Sequence, residues 1–395
     1  MWLFEKPLTE VTEQDLQALV ASAFEEGVLV DYKETLPGNS DKDRFDLRAD
    51  VVAFANTTGG LLIYGMREVD GKASELVGLE DINTDAEILR LENTILAGVQ
   101  PRIKVATHPI TLGSGRTAIV MRIPRSWIGP HAVVREDWLR FVMRGSKGNQ
   151  YMDVRQVHAA TIGAESAIEH VRAFRADRLI QVMSNETPVP LAKGPRMILH
   201  VVPLNVFTPG ISYDVVGFAS DSTTRSLITP PGVATYADRR YNLDGVVAYG
   251  SNGSGAMSYL QLFRNGAIEV VDLDAVAPVT SNRMRLIPTA VFERNLIVGL
   301  PSMLRIQKRL SVELPLVIML TLTGVQEMVL AVPGGAEGQR RYAIERDVLM
   351  MPEILVNDFE VDAAQALKPV VDALWNAGGY AGSPNYRDGV WISRG

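Results

Sequence analysis

The chain has no cysteine. Disulfides and thiolate metal sites are therefore excluded, and a reducing environment suits the sequence. Its five histidines, His108, His131, His158, His170 and His200, form no HExxH motif and no pair at metal-ligand spacing. No apolar run approaches the roughly 20 residues needed to span a bilayer, so no membrane partner is expected. The opening residues MWLFEKPLTEVTEQDL contain no basic stretch leading into a long apolar one, so a secretory signal is not expected and a cytoplasmic location is. A Walker phosphate loop is also missing, which leaves ATP binding without its usual motif.

What is present reads as globular protein. The 395 residues are 47% apolar and 22% charged, enough for two or three packed domains. The net charge of −7 is unevenly spread. Residues 1–95 carry 8 Lys and Arg against 20 Asp and Glu, a balance of −12, whereas residues 96–155 carry 10 against 3, a balance of +7. One reading is solvation and internal pairing. The other is a basic face for a polyanion beside acidic groups that hold a cation.

The apolar periodicity predicts helices over 12–27, 43–56 and 84–97, and a helical stretch from 152 to about 183. Strands are predicted at 28–34, 60–66 and 137–145, with REVDGK as a turn and a GSG-linked pair at 103–124. A second domain is expected to begin near 194, after a helical linker over 161–193. Its strands are predicted at 197–204 and 213–218, and AMSYLQLFRNGAIEVVDLD reads as a hairpin about its Asn265-Gly266 turn. A helix interrupted near Gly299-Leu300-Pro301 and a helix over 362–379 complete the pattern. The expected fold class is mixed α+β, with domains at 1–160 and 194–395.

The segment FANTTGGLLIYG joins a helix pattern to a strand pattern at residues 54–65. Asn56 and Thr57 can close a helix end through side-chain hydrogen bonds. Gly59 and Gly60 allow unusual backbone angles and close approach. On composition alone this is a tight connection; in its setting it says more. The order EEGVLVDYKE, then AFANTTGG, LLIYGMREVDG, MRIPRSWIGPHAVV and LRFVMRGS resembles the Schlafen AlbA_2 domain family, also called the divergent AAA-4 or DNA-binding domain, over about residues 20–158.

That resemblance implies an AlbA_2-like fold and a nucleic-acid-binding role, with RNA or DNA as partner. It also implies a metal-dependent RNA endonuclease site. Glu26 and Asp31 match the family's first two metal-holding acids, with Asp31 standing where the family usually has Glu. Glu68, or else Asp70, is the expected third. Lys33 matches the family lysine and is expected at the scissile phosphate. Carboxylates so gathered hold Mg²⁺ or Mn²⁺ through oxygen ligands, and such an ion activates water and offsets phosphate charge. The acids have a plainer reading as solvating surface charge.

Arg122, Arg125, Arg135, Arg140, Arg144 and Lys147 supply a candidate phosphate-binding layer, and Arg144-Gly145 matches the family's R-G pair. His131, in the matching P-H pair, is a candidate phosphate donor or a structural hydrogen bonder. Trp127 and Trp138 are candidates for base stacking or for packing. In the second domain, Arg239, Arg240, Tyr241 and Arg264 fit either ligand recognition or an interface, and apolar stretches there suit a homo-oligomer. Two rival functions stand beside the nuclease: a nucleic-acid- or ATP-binding regulator without catalysis, and a ligand-sensing or scaffold homodimer.

Overall fold

The computed structural model describes residues 3, 6, 8–80, 82–135, 138–145, 148–207, 210–231, 237–251, 254–281, 284–332, 342–387 and 389–392. The chain divides into two compact units, Met1–Ile168 and Glu169–Gly395. Both mix helices and strands, so the expected α+β class holds.

In the first unit, α1 (Glu13–Ala21) ends earlier than its apolar pattern predicts, and Ala23 follows with φ of 46°. The chain then enters β1 (Val30–Lys33), crosses through α2 (Asp41–Ala55) and returns as β2 (Gly60–Tyr64), parallel to β1. Ser40 caps α2, accepting from the Asp43 N–H at 3.2 Å. REVDGK proves to be more than a turn: β3 (Met66–Val69) and β4 (Lys72–Leu76) form a hairpin around Asp70-Gly71. After α3 (Thr84–Gly98) come β5 (Val99–Gln100), β6 (Ala106–Thr111), β7 (Thr117–Ile123), β8 (Ala132–Arg135), β9 (Trp138–Gly145) and β10 (Gly148–Tyr151).

These strands build two sheets, ordered β1-β2-β7-β6 and β10-β9-β8-β5. The first is buried on both faces. Leu61 and Ile63 of β2 pack with α1 residues Leu16 and Leu19, while Leu62 and Tyr64 pack with α2 and α3. That alternation follows the two-residue strand period. It fixes register, because a one-residue slip would exchange the two cores.

The second unit is centred on a sheet built from β11 (Arg196–Pro203), β12 (Asp238–Tyr241), β13 (Gly245–Ser251), β14 (Ala256–Phe263) and β15 (Ile268–Asp272). Beyond the short β16 (Val279–Ser281) and β17 (Met284–Ile287), β18 (Leu316–Thr323) joins the same sheet. The β14–β15 pairing bears out the predicted hairpin. The predicted strand at 213–218 does not form. Asp214 instead accepts from the Gly217 N–H at 2.8 Å and caps a short helix, Val215–Ser220. The helix Thr289–Arg309 runs uninterrupted through Pro301. A helix-interior proline costs about 3 kcal/mol. Here Leu296, Leu300, Met303 and Leu304 are buried on both sides of it, and such burial is worth about 1.5–3 kcal/mol per side chain. The predicted C-terminal helix forms as Ala363–Ala377.

This unit's core also holds a polar network. Glu269 is fully buried and accepts from Arg178 Nε at 2.8 Å, Arg178 Nη2 at 2.7 Å and the Tyr259 hydroxyl at 2.7 Å. His200 Nε2 lies 2.9 Å from Oε2, the oxygen that Arg178 Nε also reaches. Among the described residues, no helix is long and apolar enough to cross a membrane.

Candidate functional site

The helix-to-strand junction is a structural hub. Asn56 closes α2 and reaches outward: its Nδ2 donates to the His131 and Val142 carbonyls, both at 2.8 Å, and its Oδ1 accepts from the His131 N–H at 2.7 Å. Thr57 Oγ1 donates to the Ala53 carbonyl and accepts the Arg144 N–H at 2.9 Å. Gly59 has φ of 72°, and a Cβ there would lie 2.6 Å from the Arg125 backbone nitrogen. At Gly60 a Cβ would sit 2.4 Å from the Phe54 ring and 2.7 Å from the Leu29 carbonyl oxygen. The close approach at this loop is therefore to the protein's own chain.

The junction sets β1 and β9 beside α2, and four charged side chains meet there. Asp31 on β1 is 4% exposed. Its Oδ1 takes Arg144 Nη2 at 2.6 Å, and its Oδ2 lies 2.6 Å from Lys33 Nζ. Lys33 Nζ also lies 3.6 Å from Asp50 Oδ2 on α2. Asn149 ties the group together, donating to Asp50 at 2.6 Å and accepting from Arg144 at 3.1 Å. It sits opposite Arg144 in the β9–β10 register. Burial pushes the Asp50 carboxyl up, partly offset by Lys33. Burial opposes the charge on Lys33, but Asp50 and Asp31 outweigh it and hold the ammonium above its usual range.

Glu26 lies beyond α1, in the segment entering β1. Its backbone N–H donates to the Gly71 carbonyl at 2.7 Å, and its carboxylate accepts the Tyr32 N–H at 2.6 Å. Burial raises its pKa; the Tyr32 hydrogen bond works against this, and the charges of Asp31 and Glu68 add to the rise. Glu68 is exposed and accepts from the Gly71 N–H at 2.7 Å. Asp70 stands in the turn with φ of 53°. Glu26 is thus tied both to the β3–β4 turn that holds Glu68 and to the strand that carries Asp31 and Lys33.

These acids do not present a ligand set for a divalent ion as they stand. Asp31 has both oxygens in ion pairs, and Glu26 and Glu68 each spend one oxygen on a backbone N–H. Among the described residues, no three His, Cys, Asp or Glu side chains are gathered as a metal site.

The candidate phosphate-binding residues fall into two groups. Three are turned inward. Arg144 is 4% exposed and spends its guanidinium on Asp31, Asn149 and the Gly27 carbonyl, over the face of Phe54. Arg122 donates to the Leu3 and Lys6 carbonyls, and burial lowers its pKa. His131 is buried, with Nδ1 2.6 Å from the Pro101 carbonyl and Nε2 2.5 Å from the Ser126 hydroxyl, and burial lowers its pKa too.

Three point outward. Arg125 lies over Trp127 at 4.1 Å, and Arg140 lies over Trp138 at 5.1 Å and over Tyr151 at 5.5 Å. Arg135 reaches toward Asp41 at 3.9 Å. Lys147 lies outside the described residues. Trp138 also packs edge-on against Phe45. Sequence reasoning missed Asp50, Asn149 and Tyr151. Asp50 did leave a signal: it is an acid inside the otherwise apolar run Ala49–Ala55.

Fold and site together define an α+β domain with a buried charge cluster beside exposed arginine–aromatic pairs. Residues 26–153 match the Schlafen AlbA_2 family model, and the chain carries a domain of that family there. The match agrees with the resemblance carried by the motifs. No curated protein matches the chain. Among solved structures, the DIP2311 protein from Corynebacterium diphtheriae is similar at 19% identity and TM-score 0.24, over 35% of this chain and 26% of that one. The chain thus spans about a quarter of that protein's length. The N-terminal domain of an ATP-dependent DNA helicase RecG-related protein from Nitrosomonas europaea is similar at 21% identity and TM-score 0.24, over 29% of this chain and 74% of that one. At such TM-scores neither likeness adds to the family match.

Proposed function

We propose that the first unit binds nucleic acid through its exposed arginine–aromatic pairs, chiefly Arg140 with Trp138 and Tyr151. The observation that carries this reading is that Tyr151, 65% exposed, flanks an exposed arginine already lying over Trp138. An arginine so placed offers its charge to a backbone phosphate while the ring faces stack on unpaired bases. Arg125 over Trp127 repeats the arrangement. The buried cluster of Asp31, Arg144, Lys33 and Asp50 supports the surface from beneath by fixing β9 and β10 against β1 and α2. Fluorescence anisotropy with labelled single-stranded RNA and DNA tests this: Arg140→Glu weakens binding and lowers its dependence on salt.

A second reading is divalent-metal-dependent RNA cleavage at Glu26, Asp31 and Glu68. The hydrogen bonds favour it: Glu26 is tied through its backbone N–H to Gly71, whose own N–H Glu68 accepts, and through its carboxylate to Tyr32, next to Asp31. Ion binding there requires Lys33 or Arg144 to release an oxygen of Asp31. Incubating labelled RNA with and without Mn²⁺ separates the two readings.

A further inference from the structure

The second unit holds a cavity of about 150 Å³ that the nucleic-acid reading does not use. It is lined by the apolar Ala219 and Val246, by Ser220 and Tyr241, and by three arginines, Arg225, Arg239 and Arg240. We propose that this cavity binds a phosphate group, as free phosphate or as a compact phosphomonoester, between the guanidiniums of Arg225 and Arg239 and the Tyr241 hydroxyl.

No carboxylate lines the cavity. Among the described residues, neither Arg225 nor Arg239 has an acidic group at ion-pair distance. Burial and the neighbouring Arg225 charge both press on Arg239 in the same direction, lowering its pKa. Two like charges at one apolar recess repel each other and attract an anion that bridges them.

Geometry points the same way. Arg239 Nε and Nη2 donate to the Ile228 carbonyl at 3.2 and 3.1 Å, which fixes the guanidinium plane and leaves Nη1 uncommitted. A fixed planar fork is suited to phosphate oxygens. On β12, Arg239 and Tyr241 pair with Ala248 and Val246 and share one face. Arg240 lies between them on the strand, also lines the cavity and donates to the Pro188 carbonyl. The Ser220 hydroxyl donates to the Val216 carbonyl at 2.8 Å, so the 3.1 Å contact between Ser220 and Tyr241 is made by the tyrosine hydrogen. That hydrogen can turn to an anion in the cavity. The volume admits a phosphate and a few attached atoms.

The test is isothermal titration calorimetry of the full chain with inorganic phosphate and, separately, glycerol 3-phosphate, at constant ionic strength balanced with chloride. Glycerol is the uncharged control. The wild type is expected to show saturable one-to-one binding of a phosphate-bearing titrant and none of glycerol. Tighter binding of glycerol 3-phosphate identifies a phosphomonoester site; tighter binding of phosphate identifies a site for the free anion. Arg225→Gln and Arg239→Gln each weaken binding by about tenfold or more. Arg305→Gln, outside the cavity, leaves it unchanged. Arg225 is exposed, so its variant reads the site even if Arg239→Gln disturbs the fold. No saturable binding of either phosphate, or equal binding by Arg225→Gln and wild type, overturns the proposal.

Discussion

Arg144 on β9 and Asp31 on β1 are 113 residues apart in sequence and meet in a buried ion pair at 2.6 Å. Removing one partner of such a pair strands the other charge and costs about 3–5 kcal/mol. Arg144→Leu is therefore expected to lower the urea midpoint of the first unit sharply. Arg140→Leu, at an exposed position, is expected to change stability by no more than about 0.5 kcal/mol. Equal midpoints for the two variants would contradict the buried role of Arg144.

The glycine pair should respond to substitution for two different reasons. Gly59→Ala meets both a left-handed backbone and the Arg125 nitrogen at 2.6 Å. Gly60→Val meets the Phe54 ring and the Leu29 carbonyl with no help from backbone angle. Both variants are expected to lower the thermal midpoint, as read by circular dichroism. A wild-type midpoint for Gly60→Val would refute the close packing at this loop.

Much of this unit was legible in the sequence because its signals are local. The unbroken apolar run LLIY fits a strand buried on both faces, and the ordered motifs from Glu26 to Arg144 carry the family. What local pattern cannot show is where a charge spends itself. Arg144 and Arg140 lie on the same strand in the same alternation, yet one is committed inside and the other is exposed. Asp50 and Asn149 join the cluster through tertiary contacts made 99 residues apart. Glu293 in the second unit is the same case: it is buried and accepts from Trp375, Ser383, Asn385 and Trp391, all more than 80 residues away. The misread strand at 213–218 has a smaller cause, since one Asp214 cap decides between extended and helical backbone.

Acid pH should act on the second unit in two opposite ways. Burial works to raise the Glu269 pKa, but hydrogen bonds from Arg178 and His200 prevail and bring it from 4.5 to about 2. Its stabilisation, of order 3 kcal/mol, is present above the unfolded value of 4.5 and is lost as pH falls toward 2. Burial raises Asp272 from 3.8 to about 6, so the fold favours its protonated form. That contribution, of similar order, is complete below 3.8 and is lost as pH rises through 6. Protection of β14 and β15 in hydrogen exchange is therefore expected to rise from pH 7 to about 4.5 and to fall below it. Asp272→Asn should remove the rise and keep the fall. A monotonic decline in the wild type would contradict this pairing.

The cleavage reading has its own test in Asp31→Asn. The substitution keeps the side-chain shape and removes the charge that Lys33 and Arg144 share. If Asp31 serves a metal-dependent step, RNA cleavage with Mn²⁺ should fall about a hundredfold or more while binding changes little. Equal cleavage by variant and wild type would reject the site. Absence of wild-type cleavage on transfer RNA, other RNA and DNA would leave binding as the function.

The central claim is that nucleic acid binds at the exposed arginine–aromatic surface. It is tested most directly by anisotropy titrations of one labelled single-stranded RNA at several salt concentrations, comparing wild type with the double variant Arg140→Glu, Tyr151→Ala. The account predicts wild-type affinity that falls steeply with salt. For the double variant it predicts weaker binding and a shallower slope, by about one to two phosphate contacts. Identical affinity and slope for the two proteins would contradict it.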